Sequence, residues 1–198
     1  MAGSATRAGR TLIVVGLLAV AAVAVVVVWM VVDLFRASGP GTAQFEPSLP
    51  LVAGLRADGD ALVVDPGTPC ESVDQLWLLF RSDDAPSVRT VLDADAPQTV
   101  DSFTVGADLP GFTVREPLPP GFDWRDYDAV DLGTDSATGF AGTTSVELQP
   151  VVDGATEHAG DDTFYVTDAG WLTHDEILAG NTEEFLTMCT PDPAREQR

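Results

Sequence analysis

The chain has no lysine, a single asparagine (Asn181), two histidines and two cysteines. Each scarcity removes a kind of chemistry. With 10 basic residues, all arginine, against 31 acidic ones, the formal net charge is -21 and the pI is near 4.1. No cluster of cations is available to neutralise phosphates, which argues against nucleic acid as a partner. Adhesion to anionic lipid is disfavoured for the same reason. A basic partner, a neutral ligand or a divalent cation stays compatible, and the plainer reading is that the acids keep an exposed domain soluble.

Motif chemistry is equally sparse. There is no Cys-x-x-Cys pair, no glycine-rich phosphate loop and no Gly-x-Ser-x-Gly elbow; the nearest stretch, GTDSATG around Ser136, has the wrong spacing. Paired carboxylates can serve glycoside hydrolysis. In a chain with 31 acids, however, any chosen pair is uninformative. On these grounds the sequence names no catalytic residue, and a non-enzymatic protein is expected.

What the chain does contain begins with Leu12 to Val32, LIVVGLLAVAAVAVVVVWMVV, an uncharged run of 21 residues. At about 1.5 Å per residue it reaches about 31 Å, enough for the roughly 30 Å hydrocarbon core of a bilayer. Arg7 and Arg10 precede it, so the positive-inside rule places residues 1–11 in the cytoplasm and the remainder outside. A cleaved signal peptide is the rival reading. Its Ala-x-Ala patterns, Ala19-Val20-Ala21 and Ala22-Val23-Ala24, lie mid-run, and the run exceeds a usual signal core. The expectation is an uncleaved, single-pass signal anchor over 12–32 in the cell membrane, followed by a flexible Gly/Pro-rich linker over 33–50.

From Leu51, apolar stretches of strand length recur between turn residues: 61–64, 73–80, 88–92, 99–105, 112–116, 127–132, 143–149 and 163–167. Short strands at this spacing predict a mainly β, immunoglobulin-like antiparallel β-sandwich over 51–191. Leu76 to Phe80, LWLLF, has no polar alternate and predicts a central strand buried on both faces. Helical signals come late. Thr173 with Glu176 fits a capping box before a short helix stopped by Gly180, and Asn181 with Glu184 predicts a second helix to about Cys189. Residues 192–198 read as a disordered tail. Cys70 and Cys189 fall outside the membrane on this topology, where pairing is expected; their bridge would pin the second helix to the loop before the Leu76 strand.

Candidate sites concentrate in Leu109 to Asp128, LPGFTVREPLPPGFDWRDYD. Its two Pro-Gly steps predict type II turns, with glycine supplying the positive φ, on either side of a strand. Phe122, Trp124 and Tyr127 form a candidate aromatic platform for glycan, since sugars stack on exposed rings while carboxylates and arginine exchange hydrogen bonds with hydroxyls. The alternative is that these rings pack into the core. Asp123, Asp126, Asp128 and Asp131 are candidate calcium ligands as hard oxygen donors, with Asp135 close by. They form no EF-hand: counting from Asp128 puts Gly133 sixth, but Val130, Leu132 and Gly139 fall at ligand positions. His158 and His174, with Asp161, Asp162 or Asp175, offer imidazole and carboxylate for zinc or iron, at a spacing that matches no ligand motif.

The Arg-flanked anchor, the Gly/Pro linker, PCESVDQLWLLF and the closing TEEFLTMCTP together resemble uncharacterised single-pass, membrane-anchored proteins of high-GC Gram-positive bacteria. The compositional bias towards Ala, Val, Gly, Asp and Pro fits such a genome. That resemblance implies exposure at the cell surface and carries over no catalytic residue. The functional expectation is an interaction or structural module of the envelope, with an envelope protein or wall glycan as partner. The alternatives are calcium-assisted glycan binding and, further off, an envelope hydrolase or metalloenzyme.

Overall fold

A computed structural model describes residues 47–136, 139–142 and 145–196. The expected anchor over 12–32, the cytoplasmic N-terminus and most of the linker lie outside the described residues. Among the described residues no helix is long and apolar enough to cross a membrane.

In chain order the strands are β1 (Leu51–Val52), β2 (Gly54–Asp58), β3 (Ala61–Asp65), β4 (Cys70–Arg81), β5 (Val88–Val100), β6 (Phe103–Thr104), β7 (Phe112–Glu116), β8 (Ala129–Ser136), β9 (Gly139–Gly142), β10 (Val146–Glu147), β11 (Thr163–Val166), β12 (Gly170–Thr173) and β13 (Leu186–Thr187). The helices are α1 (Gln149–Gly154), α2 (His174–Gly180) and α3 (Pro193–Glu196), with a 3-10 turn at Trp124–Asp126. Two antiparallel sheets result. One runs β12-β11-β2-β3-β6 and the other β10-β8-β4-β5-β7, with β9 also on β8. A short parallel pair joins β1 to β13.

The two sheets share one core. Leu55, Leu62 and Val64 from the first meet Leu76, Leu78, Phe80, Leu92, Val130 and Leu132 from the second in a single buried cluster. This is the sandwich that alternating strands require. The five-stranded sheet is also buried on its other face, where Val63, Phe164 and Val166 pack with Ile177 of α2 and with Phe185. TFYV therefore has Phe164 and Val166 in this second cluster, while Tyr165 packs against the main core.

LWLLF is central in its sheet, between β5 and β8. Its burial corrects the expectation of two buried faces. Leu76, Leu78 and Phe80 are fully buried, while Trp77 and Leu79 are only half-buried. They belong to neither apolar cluster, because the helices make their principal contacts with β2, β12 and β13 of the other layers.

Several boundaries also differ. The expected strands at 88–92 and 99–105 are one 13-residue strand, β5, followed by a crossing into the other sheet at Phe103. The strand expected over 143–149 ends at Glu147, and α1 starts at Gln149 with Pro150 in its first turn, a position proline favours. The capping box is present: Glu176 N–H donates to Thr173 Oγ1 and Thr173 N–H donates to the Glu176 carboxylate.

The helix expected over 181–189 is absent, and the reason is Asn181. Its side-chain NH2 donates to Thr68 Oγ1 (3.0 Å) and Thr190 Oγ1 (2.8 Å), and its carbonyl accepts from Thr187 N–H (3.0 Å). An amide satisfied in this way does not cap a new helix, and the chain turns through Thr182 (φ 70°) into β13. Cys70 and Cys189 are disulfide-bonded, Cα to Cα 5.1 Å. The bridge thus pins the turn after β13 to the first residue of β4, in place of a helix to a loop. Of the expected tail, Asp192 accepts hydrogen bonds from Ser48 and α3 follows it.

Candidate functional site

The two Pro-Gly turns form as expected. Phe112 N–H donates to Leu109 O and Phe122 N–H to Pro119 O, both at 3.1 Å, with Gly111 and Gly121 at φ 80° and 77°. The second turn delivers Phe122 and, after it, Trp124. Trp124 opens a 3-10 turn whose cap, Asp123, accepts from Arg125 N–H. The indole is 3% exposed, its Nε1–H donates to Asp60 O at 3.0 Å, and the Arg125 guanidinium lies 4.6 Å over its ring. Arg125 also donates to Gly59 O (2.6 Å). Trp124 therefore fastens this segment onto the β2–β3 hairpin. Phe122 and Tyr127 lie 5.4 Å apart and both pack against Phe80, at 4.8 and 5.7 Å. Of the two readings of these rings, packing into the core is the one the geometry describes.

The nearby aspartates serve separate partners. Asp123 faces Arg125, Asp128 accepts from Asp83 N–H (2.9 Å), Asp131 pairs with Arg81, and Asp126 is exposed. Among the described residues no three His, Cys, Asp or Glu side chains are grouped so as to hold a metal ion.

The histidines occupy distinct settings. His158 stacks on Trp171, with centroids 4.0 Å apart and an interplanar angle of 16°, and its Nδ1 is 3.6 Å from Asp161. Tyr165 meets the Trp171 ring edge-on, and burial, with Glu147 and Asp168 adding, raises its hydroxyl pKa. His174 is the first residue of α2, and its Nδ1 lies 2.8 Å from Asp65 Oδ2. Asp65 is 3% exposed and also accepts from Gly67 N–H at 2.7 Å. The hydrogen bond to Asp65 raises the His174 pKa against an opposing desolvation, and Asp65, Asp175 and Asp162 add to the rise through charge. The result is an oriented imidazole clasped to a buried carboxylate. Asp65 lies 109 residues away in sequence, so no local pattern announced it.

The expectation that Leu76 to Phe80 is buried on both faces fails on the outer face of the six-stranded sheet, where Trp77 and Leu79 are only half-buried. Cross-strand register puts Gln75, Trp77, Leu79 and Arg81 of β4 beside Asp135, Gly133, Asp131 and Ala129 of β8, and beside Asp93, Val91 and Arg89 of β5. Direct partners share a face, so these residues form one surface. A Cβ at Gly133 would overlap the indole atoms Cζ2 and Cε2 of Trp77. The ring therefore lies across the glycine backbone. Around it Arg81 makes a two-pronged pair with Asp131, both contacts 3.0 Å; Gln75 Nε2 donates to Asp93 (2.9 Å); Arg115 reaches Asp93 (3.2 Å); and the Arg89 guanidinium is 5.8 Å from the Trp77 ring. The signal that could have found this face is the Trp77 and Leu79 pair in a strand whose alternates already fill the core.

The fold and this surface define a disulfide-closed antiparallel β-sandwich with one sheet face covered and the other polar, aromatic and half open. No family model, curated protein or solved structure matches the chain.

Proposed function

We propose that the protein is a membrane-anchored module of the cell envelope that presents its sandwich outside the membrane and works by interaction, not catalysis. The observation that carries this reading is the asymmetry of the two sheets. α2 and the β1–β13 region bury the outer face of one, while the outer face of the other keeps Trp77 and Leu79 half-buried between ordered ion pairs. An apolar centre rimmed by polar groups, more than folding requires, is the usual form of a recognition surface. The apolar run at 12–32 supports the anchor, and the Cys70–Cys189 bond fits an oxidising compartment. The expected immunoglobulin-like sandwich is supported only as two antiparallel sheets over one core. Its strand order is not the A-B-E-D over C-F-G arrangement of the constant-type domain.

The missing lysines supply a clean experiment. A carbodiimide activates carboxylates for attack by amines, and this chain offers 31 carboxylates but no side-chain amine. On intact cells it should couple the chain to amine-bearing envelope components and give no ladder of self-linked copies. A chain that forms no adduct, and whose C-terminal part resists external protease on spheroplasts, would contradict the proposal.

A further inference from the structure

We propose that the outer face of the six-stranded sheet docks a basic, lysine-bearing protein. This rests on the interaction reading above and names the partner class. The helices make their principal contacts elsewhere, so this is the less covered of the two outer faces. Trp77 lies down on the Gly133 backbone with the Arg89 guanidinium beside its ring, and it forms a fixed floor, not an open plate. Leu79 and Ala129, both half-buried, continue that floor along β4 and β8.

Charge decides between occupants. Register and alternation put six carboxylates on the face, those of Asp93, Asp95, Glu116, Asp131, Asp135 and Glu147, against three arginines, Arg81, Arg89 and Arg115. Asp74, exposed in the bulge beside Gln75, adds another acid at one end. Two of the arginines are occupied, Arg81 by Asp131 at 3.0 Å and Arg115 by Asp93 at 3.2 Å. The remaining acids form two flanks with Trp77 and Leu79 between them: Asp135 and Glu147 on the β8–β10 side, Asp95 and Glu116 on the β5–β7 side. Among the described residues Asp95, Asp135 and Glu147 pair with no arginine, and all three are exposed. An apolar floor between two acidic flanks is complementary to a surface whose own apolar centre is bordered by cations. The net charge of -21 acts in the same direction, drawing a basic partner in and repelling an acidic one. A second copy is the rival occupant. Five strands about 4.8 Å apart, and a β4 stretch from Gln75 to Arg81 rising about 3.3 Å per residue, make a patch about 20 Å on a side, or about 400 Å². Two copies would bury about 800 Å² in all, short of the roughly 1,200 Å² of a stable interface, and would set acid against acid. For a basic partner the charges add to the same area, which suits a transient contact.

The test maps the carbodiimide adducts of the full chain on intact cells by peptide mass spectrometry. The reagent joins a carboxylate to an amine only where the two already touch, so the linked residues report the contact. The expected result is linkage of Asp95, Asp135 or Glu147 to lysines of a basic protein. The double change Asp135→Asn with Glu147→Gln, at two exposed positions that folding does not need, should cut the adduct yield about fivefold or more. The double change Asp168→Asn with Glu183→Gln removes the same charge at exposed positions off this sheet and should leave the yield unchanged. Adducts carried by acids off the face, adducts to amine-bearing lipid or wall peptide, adducts to a second copy through its terminal amine, or equal losses in the two double variants overturn the proposal while the interaction reading stands. Absence of any adduct overturns it as well, and protease digestion of spheroplasts then judges the envelope reading separately.

Discussion

His174 is held at 2.8 Å by a carboxylate that is almost entirely buried, while the imidazole side chain remains 45% exposed. Since Asp65 raises its pKa above the unfolded value of about 6.5, the contact stabilises the fold fully below that pH. The contribution is lost as pH rises through the folded pKa. Solvent screening at the exposed ring keeps the effect small. Thermal melts should show wild type above His174→Gln by its largest margin near pH 5.5, with the margin shrinking towards pH 8.5; a constant margin would remove the ion pair from the account. His158, stacked on Trp171 and not clasped to a buried acid, offers an internal comparison. At this scale the sequence is a partial guide. Trp124 is conspicuous in it, but its partner Asp60 O is 64 residues away, so nothing local distinguishes an exposed ring from one closing a hairpin.

Elements were legible where the deciding partners are close in sequence. The capping box of α2 and the turns at Gly111 and Gly121 depend on residues within four positions, and all three form. The two turns also make separable predictions. A Cβ at Gly121 meets nothing within 4 Å, so Gly121→Ala isolates the cost of a positive φ, about 1–2 kcal/mol. At Gly111 the same φ is joined by a close approach to the Gln98 amide at 2.7 Å, and Gly111→Ala should cost at least as much. Denaturant midpoints of the two variants check this order, and a fully stable Gly121→Ala would contradict the turn geometry. The helix expected after Asn181 fails for the opposite reason. Its alternative partner Thr68 is 113 residues away, and a tertiary amide network outcompetes a local cap.

For the whole molecule, the mainly β class and the disulfide could be read from turn spacing and cysteine count, but the number of strands could not: eight were expected, and thirteen form among the described residues. Which faces were covered could not, because that depends on where α2 and β13 return. LWLLF shows the consequence: an apolar run signals burial, yet two of its five residues, Trp77 and Leu79, lie on an outer face. The Cys70–Cys189 bond closes a separation of 119 residues, and loop entropy gives about 5 kcal/mol as an upper stabilisation. Reduction, or Cys70→Ser with Cys189→Ser, should therefore lower the unfolding free energy by about 2–5 kcal/mol in urea; an unchanged midpoint would show that the polar network around Asn181 alone suffices.

The claim at the centre of the account is that function resides on the Trp77 face and not in the Trp124 turn. A photo-crosslinking residue placed at Leu79, at Asp123 or at Asp168 of the protein in living cells measures this directly. The account predicts an adduct with an envelope component from position 79 and none from the other two. Adducts from position 123 or 168 with position 79 silent would contradict it.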